Sequence, residues 1–227
     1  GPCKYMSNTV FPQEKMGDYM NPKFICVKYD MEKGEGPELA KKFGVRAYPT
    51  FVIVNPDGTI RHKLVGGGEG EQFIERVKES FDDNKALGAL DAKYNSGNRD
   101  KAFLSQYAKA MVANYDPNAK AIVDELLKIS TDEEKLSEDY WFIFGNSELS
   151  PKDSEAAKFL TANRSKFNDV IGKEKVDNRL SEGLFREILM VIAGRGQNTD
   201  AKRLDAIGRE VKALKLSNEK TLLASLA

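Results

Sequence analysis

The sequence is poor in the residues that build disulfides and metal sites. It contains 2 cysteines and 1 histidine among 227 residues. Two cysteines cannot form a disulfide framework, and together with one histidine they cannot supply the four ligands of a structural zinc site. We therefore expect no metal and no cofactor, and Cys3 is the one sulfur that merits a chemical hypothesis. Cys26, in the apolar run Phe24-Ile25-Cys26-Val27, is predicted to be a small buried side chain.

The sequence also lacks an excess of charge and any long apolar run. It has 35 acidic and 35 basic side chains, so its charge gives no case for binding nucleic acid or an anionic membrane. No stretch approaches the roughly 18 apolar residues that cross a bilayer, so no membrane span is predicted. The longest apolar stretches, Tyr140–Phe144 and Ile188–Ala193, are predicted to be core helix. His62, on a predicted strand, is expected to be a surface side chain.

The two ends of the sequence are abrupt. It opens on Gly1-Pro2-Cys3-Lys4 without a methionine, and it stops inside an apolar helical pattern that runs from Thr221 to Ala227. We expect the sequence to be a fragment at its N-terminus, and truncation at its C-terminus is left open. As an alternative, Gly1-Pro2 is the remnant of a cleaved tag and Cys3 an incidental helix cysteine.

Helical and β-rich patterns alternate in the first part of the sequence. Apolar spacing predicts a helix from Lys4 to about Met20, kinked or divided at Pro12. Lys23 to Tyr29 is predicted to be a buried strand, because it is rich in β-forming residues. A short helix then begins at Gly36-Pro37, where the missing proline N–H costs nothing, and ends at Gly44.

A hairpin and an amphipathic helix follow. The turn sequence Asn55-Pro56-Asp57-Gly58 separates strands at Phe51–Val54 and Thr59–Val65, which predicts an antiparallel pair. Gly66-Gly67-Gly68 is interpreted as a hinge and fits no phosphate-loop pattern. Glu71–Phe81 is predicted to be a helix whose apolar face carries Phe73, Ile74, Val77 and Phe81.

Strand patterns stop near residue 84, and helical spacing continues to the end. Short polar segments such as Asn95-Ser96-Gly97-Asn98 and Asp116-Pro117-Asn118 interrupt it, which is typical of a helical array. The first helical hairpin has a spacing that would suit a tetratricopeptide-like pair, although no strict repeat is present. Trp141–Phe144 is predicted to be core, with a binding patch as the alternative. Two domains are expected, residues 1–84 and 85–227.

Three segments of the first domain resemble the thioredoxin family. Gly1-Pro2-Cys3-Lys4 is similar to the latter part of its Cys-Gly-Pro-Cys-Lys motif. Val45–Phe51, which contains Tyr48-Pro49, is similar to its cis-proline segment, and Asn55-Pro56-Asp57-Gly58 to its hairpin turn. The resemblance covers about residues 1 to 84 and implies an α/β thioredoxin-like fold followed by an all-α helical region.

The resemblance implies a redox site with named parts. Cys3 takes the place of the resolving cysteine, and Gly1, Pro2 and Lys4 are its motif neighbours. Pro49 takes the place of the cis proline, with Tyr48 before it, where a substrate peptide binds; the alternative is an ordinary trans turn. A thiol at a helix N-terminus faces unpaired N–H groups that favour thiolate.

The sequence departs from the family in what it lacks. The attacking cysteine, which would precede Gly1, is missing, and so is the strand that precedes the motif. That strand lies centrally in this fold, so its two neighbours, Lys23–Tyr29 and Phe51–Val54, would be left unpaired. We expect an N-terminally truncated fold in which upstream residues supply the strand. Alternatively, a neighbouring chain donates it or the sheet rearranges. With one thiol at the site, the chain as given cannot perform dithiol exchange.

The resemblance implies a thiol–disulfide oxidoreductase, a reductase or an isomerase. The Gly-Pro spacer is similar to that of the reducing members of the family. Expected partners are protein or peptide disulfides and an electron donor or acceptor protein, and the helical region would serve partners or form a homodimer. A periplasmic location is favoured, as in exported bacterial proteins with long helical extensions, and a cytoplasmic one stays open.

Two other functions are weighed against the oxidoreductase. A non-catalytic interaction module would keep the fold without redox turnover, and a residue other than cysteine before Gly1 would favour it. A glutathione transferase also joins a thioredoxin-like domain to helices. It ranks lower, because Pro2-Cys3-Lys4 and Tyr48-Pro49-Thr50-Phe51 suit thioredoxin better. The helical region shows no recognisable catalytic constellation.

Overall fold

The computed structural model describes residues 1–195 and 201–225. The chain divides into two structural units, Gly1–Leu126 and Leu127–Ala227. The first unit contains the mixed α/β part and three helices that follow it, whereas the second is helical throughout its described residues. The domain boundary at residues 84 and 85 stays a prediction.

Pro12 divides the first predicted helix, as expected from its missing N–H. Helix α1 (Pro2–Tyr5) continues into a π-helical turn (Met6–Val10), and α2 (Glu14–Met20) follows after Pro12. The buried side chains on this stretch are Met6, Val10 and Met16. They turn its apolar face towards the core of the first unit.

The predicted strand Lys23–Tyr29 is not formed. Residues 24–30 have no regular secondary structure, and Ile25 is 98% and Val27 73% exposed. No strand of the described residues lies beside this segment, so its backbone has no ladder partner there. A β-rich sequence forms a strand only when a neighbour accepts and donates its backbone hydrogen bonds.

The hairpin has the predicted pairing. After α3 (Gly36–Lys42), strand β1 (Thr50–Val54) pairs antiparallel with β2 (Ile60–Val65). Thr50 lies opposite Val65, and the register shifts between Ile53 and Val54. The turn closes with a 2.8 Å bond from the N–H of Gly58 to the carbonyl of Asn55, and Gly58 has a φ of +82°. Only two strands belong to this sheet in the described residues, so β1 has a neighbour on one side.

Helix α4 (Gly70–Lys78), extended by a 3₁₀ turn (Glu79–Phe81), covers the hairpin. Its predicted apolar face is correct for Phe73, Ile74 and Val77, which are buried. Phe81 was expected on the same face but is 59% exposed, because the 3₁₀ turn rotates it away. The resulting core also includes the buried residues Met6, Val10, Met16 and Leu64.

The remaining helices of the first unit follow the hairpin directly. They are α5 (Leu87–Asn95), α6 (Lys101–Ala113) and α7 (Ala119–Ile129), the last of which crosses into the second unit. Helix α5 lies on β2 so closely that a Cβ at Gly88 would be 2.0 Å from the carbonyl oxygen of Ile60. Tyr107 of α6 donates a 2.7 Å hydrogen bond to Asp91 of α5.

The second unit confirms the predicted helical array. Its further elements are α8 (Asp132–Lys135), a 3₁₀ turn (Glu138–Tyr140), α9 (Trp141–Phe144), α10 (Glu155–Ala162), α11 (Arg164–Ile171), α12 (Lys173–Ile192), α13 (Ala201–Leu214) and α14 (Glu219–Ala224). Ile143 and Phe144 are fully buried, so this stretch belongs to the core as predicted. Along Ile188–Ala193, Ile188 and Val191 are buried, but Leu189, Met190 and Ile192 are exposed. Of the apolar pattern at the end, Leu226 and Ala227 lie outside the described residues.

A buried carboxylate joins three parts of this unit. Asp177 of α12 is paired with Arg164 of α11 at 2.6 Å and with Lys173 at 2.5 Å. The N–H of Ser217, between α13 and α14, donates a 2.9 Å bond to the same carboxylate. Burial alone would favour the neutral acid, but these hydrogen bonds outweigh it and hold the pKa of Asp177 at about 2. None of the helices in the described residues combines the length and apolar character needed to cross a bilayer.

Candidate functional site

Cys3 lies at the start of α1 and is exposed. The carbonyl oxygen of Gly1 accepts hydrogen bonds from the N–H groups of Lys4 and Tyr5, at 3.1 and 3.2 Å. Pro2 occupies the first turn, where a missing N–H leaves no bond unmade. Gly1, Pro2 and Lys4 thus form the helix start that presents the Cys3 thiol to solvent.

The Tyr48–Pro49 peptide bond is cis, as predicted. Pro49 is buried, whereas the ring of Tyr48 is 53% exposed. Two hydrogen bonds hold the segment: Gly66 N–H donates to the Pro49 carbonyl at 2.8 Å, and Thr50 Oγ1 donates to the Ala47 carbonyl at 2.7 Å. The proline is therefore anchored at the start of β1 while the tyrosine remains available for contact.

Gly66-Gly67 joins the Pro49 segment to the helix that carries Cys3. While Gly66 bonds Pro49, Gly67 lies against Met6, since a Cβ at Gly67 would be 3.0 Å from the Met6 sulfur. Met6 is three residues beyond Cys3 and is 1% exposed. Cys3 and Pro49 thus belong to segments that share one packing contact. The sequence was interpreted as a hinge at Gly66–Gly68. In the structure, Gly66 is hydrogen-bonded to Pro49 and Gly67 packs against Met6.

Arg76 of α4 holds the same segment from the other side. Its guanidinium donates to the carbonyl oxygen of Val65 at 2.7 Å, of Gly66 at 3.3 Å and of Gly67 at 3.4 Å. Residue patterns do not single out this arginine, because its partners are backbone atoms. An arginine on the polar side of an amphipathic helix is otherwise typical of a solvated surface.

A second contact ties the Cys3 helix to the start of α4. Tyr5 Oη donates a 2.7 Å hydrogen bond to Glu69 Oε1, and Lys15 is 3.1 Å from Glu71. The bond to the Glu69 carboxylate raises the pKa of Tyr5, because it stabilises the neutral phenol. Helix α1 is therefore held at its last residue, Tyr5, and at Met6 immediately after it.

Cys26 was predicted to be buried, and this is wrong. It lies exposed in the segment Phe24–Asp30, which no second strand covers in the described residues. Phe24 alone packs partly on the core of the first unit, and Lys28 Nζ donates to Ser7 Oγ at 3.1 Å. Both cysteines carry free, exposed thiols.

His62 was predicted to be a surface residue, and it is buried instead, at 4% exposure. The sequence pattern placed it on β2 but could not show that α5 covers this part of the strand. Its Nδ1 accepts a 3.1 Å hydrogen bond from the N–H of Leu87. Burial, followed by repulsion from Arg61 and Arg76, lowers the pKa of His62 to about 4.

Across residues 1–195 and 201–225, no three His, Cys, Asp or Glu side chains are grouped as a metal site requires. The candidate site offers an exposed thiol on a helix whose continuation contacts, through Met6 and Gly67, the segment that is bonded to Pro49. Asp91 and Tyr107 form a separate hydrogen-bonded pair outside the candidate site. Burial is the largest cause of the raised pKa of Asp91. Burial, and then the hydrogen bond to Asp91, raise the pKa of Tyr107.

Comparison with known proteins identifies one part of the chain. The model of a family described as a thioredoxin-like domain matches residues 1–80. No curated protein and no solved structure matches the chain significantly. The matched residues run from the Cys3 helix through α4 into the 3₁₀ turn that follows it, and so contain Cys3, Tyr48 and Pro49.

Proposed function

Because residues 1–80 are a thioredoxin-like domain, we propose that the protein is a thiol–disulfide oxidoreductase with Cys3 as the second cysteine of its motif. One observation carries the proposal: the exposed Cys3 thiol begins a helix that shares the Gly66-Gly67 contact with the cis Tyr48–Pro49 segment. The two parts are thus an exposed thiol and a cis-proline segment whose tyrosine is half exposed, linked through one packing contact.

In the proposed reaction, a cysteine immediately before Gly1 attacks a substrate disulfide as thiolate. One substrate sulfur leaves as a thiol, and a mixed disulfide forms. The Cys3 thiolate then attacks the motif sulfur of that mixed disulfide and releases the second substrate thiol. The substrate gains two electrons and two protons, and the motif becomes a disulfide. The exposed ring of Tyr48 and the backbone at Pro49 hold the substrate peptide.

A reductase is favoured over a strong oxidant by the Gly1-Pro2 spacer, which resembles that of the low-potential members of the family. An isomerase remains the alternative within the same chemistry. Protein or peptide disulfides are the proposed substrates, and a separate thiol protein the electron donor or acceptor. By the same resemblance, we propose a periplasmic location and assign the helical region to partner contact or dimerisation.

Intact-mass measurement in glutathione buffers tests the proposal on the protein that carries its natural residue before Gly1. The measurement uses the Cys26→Ser background, because the exposed Cys26 thiol would itself form a glutathione adduct. In this background we expect oxidation to remove two mass units without adding glutathione, because the two motif cysteines pair. With Cys3→Ser added, the remaining motif cysteine cannot pair, so one glutathione adduct should replace the loss. A two-unit loss that survives Cys3→Ser would exclude Cys3 from the site.

A second candidate function rests on the unpaired strand sequences. Ile25 and Val27 are exposed, and within the described part of the chain β1 pairs with a strand on one side only. An incomplete sheet of this kind accepts an additional strand. The strand could come from polypeptide joined to Gly1, which would complete a truncated thioredoxin-like fold, or from a partner, which would make the domain an interaction module. Amide exchange at residues 25–29 should slow markedly in the protein extended before Gly1 if the strand is its own, and only on partner addition otherwise.

A further inference from the structure

The imidazole of His62 caps the first helix after the thioredoxin-like domain. The N-cap residue of α5 is Ala86, whose side chain cannot accept a hydrogen bond. The N–H of Leu87, the first residue of α5, instead donates to His62 Nδ1 at 3.1 Å. The strand residue thus satisfies one of the N–H groups that every helix leaves free at its start.

The contact around this bond is close and apolar. Ala86, Leu87 and Leu90 are 0%, 4% and 1% exposed. Gly88 brings the backbone of α5 against β2, because a Cβ there would overlap the carbonyl oxygen of Ile60 at 2.0 Å. A change in the bond to His62 therefore acts on a helix that has no room to adjust in place.

The hydrogen bond fixes where the proton of the neutral ring lies. Nδ1 accepts from Leu87, so the ring proton is on Nε2, which is buried and has no hydrogen-bond partner in the described structure. A second proton must go to Nδ1. That atom would then be a donor that faces the donor N–H of Leu87, and its positive charge would lie at the positive end of α5.

The charged groups around the ring do not stabilise its protonated form. Two cations act on the ring, Arg61 of β2 and Arg76 of α4. Lys63, the next residue of β2, acts on Asp91 of α5. The nearby carboxylates are already engaged: Asp83 with Arg61 at 2.6 Å, and Asp91 of α5 with Tyr107 of α6 at 2.7 Å. Residues 50–54 of β1 contribute no charged group.

We propose that His62 is an acid-sensitive cap: its neutral ring holds α5 on β2, and protonation of Nδ1 releases α5 from the strand. This inference rests on the His62–Leu87 geometry and does not depend on the function of Cys3. The sign follows from linkage. A free ring takes up a proton near pH 6.5 and the buried ring only near 4. The released state therefore binds more protons between these values and gains population as the pH falls, about tenfold per pH unit.

Amide hydrogen exchange at Leu87, compared with the core amides of Phe73 and Val77, tests the proposal on the full chain. In the wild type, the opening equilibrium at Leu87 should rise about tenfold per pH unit between pH 6 and 4.5, while the core amides stay closed. His62→Asn supplies an amide oxygen where Nδ1 lies and cannot be protonated. We expect the opening at Leu87 in this variant to be independent of pH over the same range.

A titration of the imidazole gives a second readout that does not need the variant. His62 is the one histidine of the sequence, so the imidazole resonance can be assigned to it directly. Its midpoint should lie well below 6.5. The proposal is overturned if the ring titrates near 6.5, if Leu87 opens only together with Phe73 and Val77, or if His62→Asn keeps the wild-type pH dependence.

Discussion

The N–H of Gly66 donates a 2.8 Å hydrogen bond to the carbonyl oxygen of Pro49, and this bond joins the end of β2 to the segment before β1. Arg76 holds the same end of β2 through three carbonyl oxygens. The geometry of the cis-proline segment therefore depends on a side chain of α4 that touches neither Cys3 nor Pro49.

Arg76→Met keeps the aliphatic stem and removes the three hydrogen bonds. We expect a loss of about 2 kcal/mol in the free energy of unfolding of the first unit, because each bond contributes about 1 kcal/mol and the carbonyls are partly shielded. Amide exchange at Gly66 should accelerate about tenfold or more. Lys78→Met on the same helix is the control, since Lys78 pairs with the exposed Glu75 and lies 5.9 Å from the centre of the Tyr19 ring, away from the carbonyl oxygens that Arg76 binds. Equal exchange rates in the two variants would contradict the role of Arg76.

Gly88 and Gly183 are both helical glycines with opposite surroundings. A Cβ at Gly88 would overlap Ile60, whereas at Gly183 of α12 nothing lies within 4 Å. Gly183→Ala should stabilise the second unit by about 0.5–1 kcal/mol through helix propensity. Gly88→Ala should destabilise the first unit by about 1–2 kcal/mol, because overpacking exceeds that gain. Chemical denaturation, monitored by amide exchange in each unit, measures the change in the free energy of unfolding for both variants. A Gly88→Ala variant that is more stable than the parent would show that α5 does not lie on β2.

Asp177→Asn should destabilise the second unit by about 3 kcal/mol, because it leaves Arg164 and Lys173 beside a neutral side chain. The measurement is urea denaturation followed by Trp141 fluorescence, since this is the one tryptophan and lies in the second unit. Glu155→Gln, which breaks the exposed pair with Lys158, is the control and should change stability by less than about 0.5 kcal/mol.

The same carboxylate makes the second unit acid-sensitive in a defined range. The pKa of Asp177 is about 2 in the folded chain and 3.8 without its partners. The unfolded state therefore binds the proton first, and about 2 kcal/mol of stability present above pH 4 is lost as the pH falls towards 2. Asp177→Asn should lack this component. A variant that keeps the wild-type pH dependence would remove Asp177 as its source.

Both cysteines should react with a thiol reagent in the native chain, because both are exposed. We expect two equivalents of Ellman's reagent to be consumed without denaturant, and one in either Cys3→Ser or Cys26→Ser. One equivalent in the parent, rising to two in denaturant, would show that a thiol is covered.

Features set by local backbone chemistry could be predicted from the sequence. Pro12 divides the first helix, the Asn55–Gly58 turn pairs two strands, and Tyr48–Pro49 is cis. The family resemblance supplied the last of these and was confirmed over residues 1–80. The helix break and the turn depend on a few neighbouring residues, whereas the cis bond was predicted from the family resemblance and not from its neighbours.

Features set by distant neighbours could not be predicted. Cys26 is exposed because no second strand in the described residues covers its segment, and His62 is buried because α5 covers β2. Arg76 was missed because it binds carbonyl oxygens, which every residue type presents alike. In each case the deciding partner lies far along the chain or in the backbone, where residue patterns give no sign of it.

The most direct test of the redox proposal is the reduction of insulin disulfides by the protein with its natural residue before Gly1, regenerated by a dithiol donor. We predict turnover that falls at least 100-fold in Cys3→Ser and is unchanged in Cys26→Ser, because Cys3 is the proposed motif cysteine and Cys26 lies outside the motif. Turnover that persists in Cys3→Ser would contradict the role of Cys3 as the second cysteine of the motif. No turnover in the folded parent would contradict an oxidoreductase and leave a thioredoxin-like interaction module.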